Sequence, residues 1–224
     1  MNLMSEQLAA RRAAILEAVR SMIVERGYES VTVRELAAIC KVSVPTLYNQ
    51  FGGKDQLMAA AIEGYFQSSQ QTDALRSSEP GFPRLIMVMD QSASVLLHQP
   101  EYHRRLLAAF ASLASTQQVQ DLIARALIEV LANELEVMKA KRQLLGWVAT
   151  TTLAEQMMAA CIGVSVRWGA GTLANEKLAS HMRYAMGLVV LGVAKGVTQT
   201  KLQALVHDAQ LDIHNRPAVA AATR

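Results

Sequence analysis

Apolar residues recur along this chain three and four positions apart, and nowhere do they alternate over a useful length. That periodicity predicts helices without a sheet, so the expected fold is all-α. Leu8, Ile15, Val19, Met22 and Ile23 form the first stripe, which Gly27 ends as a C-terminal glycine. From Val31 to Leu57 the pattern shortens into two small helices. Thr32 caps the first, Glu35 three positions later completes a capping box, and Leu36, Ala37 and Cys40 share one side. Ser43 is a second N-cap, Pro45 sits in the first turn where its missing N–H is harmless, and Leu47, Tyr48 and Phe51 continue the stripe to Gly52 and Gly53. Helices this short cannot bury a face alone, so the preceding helix is predicted to support them.

Lys54 to about Ser77 reads as a fourth helix, with Leu57, Met58, Ala61, Ile62, Tyr65 and Phe66 inward. Glu79 to Pro83 and Gln99-Pro100 are the clearest punctuation. Helices are predicted between them from Arg84 to Leu97, and beyond them from Glu101 to Ala114. Next come a long amphipathic helix from Gln117 to Leu145, halted by Gly146, and a helix from a Thr152–Glu155 capping box to Trp168. A last long helix spans Asn175 to Lys195, and a final short one Thr200 to Gln210. The expected domains are residues 1–53, residues 54–212, and a frayed tail at 213–224.

With 224 residues, 51% of them hydrophobic and 18% charged, the chain falls among compact globular proteins. The formal charge of +3 suits a polyanionic partner only modestly. Seven Lys or Arg face six Asp or Glu up to Leu57, so placement of particular cations must carry any nucleic-acid argument. Arg11 and Arg12 fall off the first stripe, and a solvated surface pair is preferred there to a phosphate contact. Cys40 and Cys161 are too few and too far apart for a disulfide framework, which fits a reducing cytoplasm. No secretory signal or membrane span is expected.

Catalysis finds no support. His98 and His103 are five apart and share no helical face, and Gly52-Gly53-Lys54 lacks the spacing of a phosphate loop. A non-enzyme without metal or cofactor is expected.

The second short helix has the size of a recognition helix, and here the sequence becomes specific. Gly27-Tyr28, Thr32-Val33-Arg34-Glu35-Leu36-Ala37, Val42-Ser43, Thr46-Leu47-Tyr48, Phe51, Lys54 and Leu57 resemble the N-terminal domain of TetR-family transcriptional regulators. The match covers about the first quarter of the chain. It departs at Asn49-Gln50, where many relatives carry an aromatic or basic residue followed by His, and this leaves the operator sequence open. The resemblance implies a homodimer on a pseudo-palindromic DNA operator, most often a repressor, released by a small effector.

Position then assigns the contacts. Val44 and Pro45 at the tip offer apolar surface to thymine methyls, and Gln50 a base-edge pairing, typically with adenine. Arg34 reads a base or clamps a phosphate, two readings of equal weight. Thr32, Thr46, Tyr48 and Lys54 go to phosphates, with a helix cap or core contact as the alternative for Thr46 and Tyr48. Lys41 in the turn, Ser43 and Asn49 complete the set facing DNA.

The later helices carry two stripes, Leu153, Met157, Cys161, Val164 and Trp168 on one, and Leu178, Met182, Ala185, Met186, Val189 and Val193 on the other. They resemble the pair that forms the family's four-helix dimer interface. Contact with a second copy through Leu153, Met157, Cys161, Val164, Trp168, Met182, Met186, Val189 and Val193 is preferred to an internal core. Tyr65, Phe66, Met89, Phe110 and Met157 are candidate walls of an effector pocket that the resemblance implies, hydrophobic or aromatic in taste because methionine adapts to shape, although for any one of them ordinary core packing is the preferred reading. His98, His103, Arg104 and Arg105 are expected in a surface or inter-domain salt bridge. Two alternatives stand beside this reading: an all-helical small-molecule carrier or enzyme with a structural N-terminal unit, and a regulator switched by a protein partner or by oxidation of Cys161.

Overall fold

The structure, a computed structural model, describes residues 3–27, 30–54, 56–58, 60–61, 75, 77–112 and 117–215. Nine helices are bounded among the described residues: α1 (Leu3–Arg26), α2 (Val33–Ile39), α3 (Val44–Phe51), α4 (Phe82–His98), α5 (Pro100–Ser112), α6 (Gln117–Ala140), α7 (Thr150–Gly169), α8 (Asn175–Leu191) and α9 (Gly196–His214). No described helix is long and apolar enough to cross a membrane. The expected helix from Lys54 to Ser77 lies mostly outside the described residues, although residues 54, 56–58 and 60–61 are helical.

The chain divides into two compact units, Met1–Thr72 with Gln99–Leu127, and Asp73–His98 with Ile128–Arg224. Sequence punctuation predicts a boundary after residue 53, whereas Leu57, Met58 and Ala61 are buried in the core of the first unit. That core also holds Ile15, Val19, Ile23, Leu36, Leu47 and, from α5, Leu106. The apolar rhythm beyond Gly53 is the same whichever core receives it, so periodicity does not place the boundary. His103, expected at a surface salt bridge, is only 1% exposed, with its Nδ1 2.8 Å from the Gln99 carbonyl oxygen.

In the second unit α8 packs against α4, α7 and α9. The turn before α4 is held by Glu134, a buried carboxylate that accepts from the Gly81 N–H at 2.7 Å and lies 3.4 Å from Arg84. Such satisfaction is what keeps a buried acid tolerable. Helix α6 stops at Ala140, before the predicted Leu145, because Arg142 turns to φ 58° and the N–H groups of Arg142 and Gln143 close back on Lys139 and Met138; an isolated antiparallel bridge between Leu144 and Ala194 follows. Leu145 N–H donates to the Val193 carbonyl at 2.9 Å and Lys195 N–H to Gln143 at 2.8 Å. The same bridge ends α8 at Leu191, short of the predicted Lys195. Helix α7 opens at Thr150, two residues before the predicted capping box, and the Thr150 hydroxyl bonds Glu136 instead.

The two stripes expected to meet a second copy face inward. Trp168, Met157, Met182 and Met186 are fully buried within the chain, and Leu153, Cys161 and Val164 are 6–8% exposed; only Val189 and Val193 are half-buried. The physical reason is α9, which runs nineteen residues where a short helix is predicted and covers the apolar side of α8. The two helices pack tightly at Gly187, where a Cβ would sit 2.8 Å from Val206 Cγ2 of α9. The small residue thus serves an intramolecular contact. Outward on the same helices lie Ile162, Val166 and Leu188, at 46%, 50% and 44% exposure.

Candidate nucleic-acid interface

The short helices of the first unit begin as their cap residues dictate. Thr32 Oγ1 accepts from the Glu35 N–H at 3.2 Å, and the two side chains are hydrogen-bonded at 3.0 Å. Ser43 Oγ accepts from the Thr46 N–H at 3.1 Å and stands 2.7 Å from Thr46 Oγ1. Both hydroxyls satisfy donors that a helix start leaves unpaired. Pro45 occupies the first turn of α3 as expected, and Gly52, at φ 94°, ends the helix in a conformation that a side chain resists.

Between α2 and α3 the turn closes on Lys41 in the left-handed region, φ 52°. Its N–H donates to Ala38 at 3.2 Å and the Val42 N–H to Ala37 at 2.9 Å, the paired bonds of a Schellman turn. Glycine usually holds that position. Here the turn presents an exposed ammonium instead.

Helix α3 buries one side chain, Leu47, at 2% exposure. Pro45, Tyr48, Asn49 and Gln50 are exposed, and Val44 and Thr46 are half-buried. Tyr48 at 51% exposure is outside the core, whereas Thr46 takes part in the cap that was its alternative reading. Thr32, Arg34, Lys41 and Ser43 are exposed as well, with Lys54 half-buried just past the glycines. The sequence-predicted DNA residues thus run from the cap of α2 to Lys54, three residues past α3, and most of them are exposed. Arg26 approaches Glu35 at 3.6 Å and ties the end of α1 to the start of α2.

Two features had no sequence signal. Leu8, assigned to the inward stripe of α1, is 59% exposed and lines a groove with Arg11, Thr46, Asn49 and Gln50. The Arg12 guanidinium lies over the Phe51 ring, 4.5 Å from its centroid. Both pairings join residues some forty positions apart, beyond the reach of any local pattern.

The effector residues are less visible. Met89 and Met157 are fully buried in the second unit, while Tyr65, Phe66 and the Phe110 side chain lie outside the described residues. Burial pushes the Cys161 thiol up to about 11, against hydrogen bonds with the hydroxyls of Ser165 and Ser92. A buried thiol held protonated is a poor target for oxidation, which argues against the redox alternative. Among the described residues no three His, Cys, Asp or Glu side chains are placed to hold a metal ion.

Comparison with known proteins agrees with this geometry. Residues 15–61 match the family model of bacterial regulatory proteins, tetR family. An uncharacterized HTH-type transcriptional regulator of Mycobacterium tuberculosis (strain ATCC 25618 / H37Rv) is 26% identical over 179 residues, covering 80% of this chain and 79% of that one. The HTH-type transcriptional repressor KstR of Rhodococcus jostii is 28% identical over 112 residues, 49% of this chain and 51% of the repressor. The crystal structure of the transcriptional regulator FadR from Bacillus subtilis in complex with stearoyl-CoA shares the fold, with a TM-score of 0.61 at 15% identity over 79% of this chain and 96% of that one. With the family match lying on α1 to α3 and their flanking residues, the first unit of this chain carries the helix-turn-helix domain of the tetR family of bacterial regulatory proteins.

Proposed function

We propose that the protein is a homodimeric repressor that binds a pseudo-palindromic operator and leaves it when an apolar effector binds. One observation carries the DNA side of this reading: α3 buries Leu47, rests Val44 and Phe51 partly against the core, and turns Pro45, Tyr48, Asn49 and Gln50 to solvent. A helix in the major groove needs that arrangement, because base edges are read by side chains its own core does not use. Val44, Pro45, Asn49 and Gln50 are assigned to bases, Arg34 to a base or a phosphate. Thr32, Lys41, Ser43, Thr46, Tyr48 and Lys54 are assigned to the backbone. Titration against the intergenic duplex beside the coding sequence and a scrambled duplex, at several salt concentrations, tests this. Lys54→Ala should flatten the salt slope by about 1 on both, and Gln50→Ala should relax specificity at one base pair by about 1–3 kcal/mol. If neither substitution changes affinity, the assignment is wrong.

For pairing, the outward apolar side chains Ile162 and Val166 of α7 and Leu188 of α8 replace the inward stripes as the proposed dimer surface. Two copies would place two recognition helices in successive major grooves, matching a two-fold operator. For the effector, FadR from Bacillus subtilis was crystallised with stearoyl-CoA, and the same fold with methionines in its interior supports an apolar ligand here. Such coupling is reciprocal and worth about 1–3 kcal/mol, so operator DNA should weaken effector binding by the same factor. Calorimetry with and without operator reads it directly, and equal affinities would refute release. The relatives are regulators, which supports a non-enzyme working in the cytoplasm.

A further inference from the structure

We infer that the two adjacent arginines of α1 divide the work at the DNA face: Arg11 binds a backbone phosphate in the groove beside α3, and Arg12 positions α1 against α3. The inference rests on the DNA-binding reading and adds a second wall to it. The groove is a surface depression open to solvent, about 350 Å³ in volume, lined by Leu8 and Arg11 from α1 and by Thr46, Asn49 and Gln50 from α3. Its α3 wall is the outward side of the recognition helix, so a strand whose bases meet Gln50 has its sugar-phosphate chain within reach of the α1 wall. Arg11 is exposed, and among the described residues no carboxylate pairs with it. A cation held in place on a helix but unneutralised is what a phosphate oxygen recruits, and it displaces a counterion on binding. Leu8, 59% exposed where its neighbours on the stripe are buried, presents an apolar edge to a deoxyribose in the same groove.

Arg12 has a different duty because of where its guanidinium lies. It covers the ring of Phe51, the last residue of α3, 4.5 Å from the centroid, a cation–π contact. That contact fixes the spacing between the two walls, and with it the distance from Arg11 to Gln50. The sequence offers two neighbouring arginines of equal standing; the fold turns one to the solvent groove and the other onto an aromatic face.

The experiment is a salt titration of the full-length protein on the intergenic duplex and on a scrambled duplex of equal length. Arg11→Ala should weaken binding to both duplexes by the same factor and make the salt slope shallower by about 1, with Arg11→Lys restoring the slope. Arg12→Ala should weaken binding with the slope unchanged, and should be non-additive with Phe51→Leu in a double-mutant cycle. Thermal unfolding of Arg11→Ala should match the parent, since the side chain is exposed. If Arg11→Ala leaves slope and affinity untouched while Lys54→Ala lowers both, the inference is overturned and the DNA reading survives. If Arg12→Ala lowers the slope, or adds fully to Phe51→Leu, the division of labour is overturned. If the parent protein binds no duplex in a salt-dependent way, the underlying reading has failed.

Discussion

Helices α3 and α7 are secured in opposite ways. Eight residues long, α3 buries only Leu47 and takes its ends from a serine cap and a left-handed glycine. Twenty residues long, α7 buries eight side chains, Trp168 among them, and has no side-chain cap at its start. A cap contributes about 1 kcal/mol, whereas one fully buried large side chain contributes several times that. With Leu47 buried and Val44 and Phe51 only partly buried against the core, α3 relies more on its caps, which leaves its outer side chains uncommitted. The helix inside the bundle is fixed by bulk, and its side chains are committed to one another.

The largest expected effect tests the committed side. Trp168 is fully buried, and its Nε1–H donates to Asn175 Oδ1 at 2.8 Å. Trp168→Ala should lose about 3–5 kcal/mol, from lost transfer energy and the cavity left behind. Urea unfolding followed by circular dichroism measures it. A loss under about 1 kcal/mol would mean that the bundle collapses onto the gap, contrary to close packing around α8.

The same contrast explains what the sequence discloses. Thr32, Ser43, Pro45 and Gly52 act within three or four residues of themselves, so the boundaries of α2 and α3 and the outward set on α3 are legible from the sequence. Arg12 on Phe51, Leu106 in the core of the first unit, and Val206 against Gly187 join distant segments, and no local pattern encodes them. The inward stripe of α7 shows why a hydrophobic face alone does not name its partner. Leu153, Met157, Cys161, Val164 and Trp168 would read identically facing a second copy or facing α8. The packing of α7 on α8 decides it, with the far side of α8 covered by α9, whose start at Gly196 follows a backbone bridge that carries no compositional signature.

A smaller effect tests the local side. Ser43→Ala removes the oxygen that accepts from the Thr46 N–H, and should destabilise the first unit by about 0.5–2 kcal/mol. Ser43→Asp sharpens the comparison because a carboxylate caps as well as a hydroxyl while repelling phosphate. Stability should stay near the parent value as DNA affinity falls. Thermal melts paired with duplex titrations separate the two, and parallel losses in both would show that the cap and the DNA contact are not distinct functions.

The smallest effect compares two turns of the same kind, one in each unit. Lys41, φ 52°, and Arg142, φ 58°, both close Schellman turns, as Gly171 does at φ 75° after α7. Arg142 N–H donates to Lys139 at 2.9 Å and Gln143 N–H to Met138 at 2.9 Å, mirroring the bonds around Lys41. An L-residue in the left-handed region costs roughly 1–2 kcal/mol, and glycine relieves this while losing about 0.5–1 kcal/mol through its freer unfolded chain. Lys41→Gly and Arg142→Gly should therefore each raise stability slightly, by up to about 1 kcal/mol. Their effects on DNA should part: Lys41→Gly removes a cation beside the recognition helix and should flatten the salt slope by about 1, while Arg142→Gly should leave it unchanged. A basic residue kept where glycine is easier fits a turn that serves a phosphate. If Lys41→Gly binds every duplex as the parent does, the strain at that turn has no part in recognition, and Lys41 leaves the set of contacts.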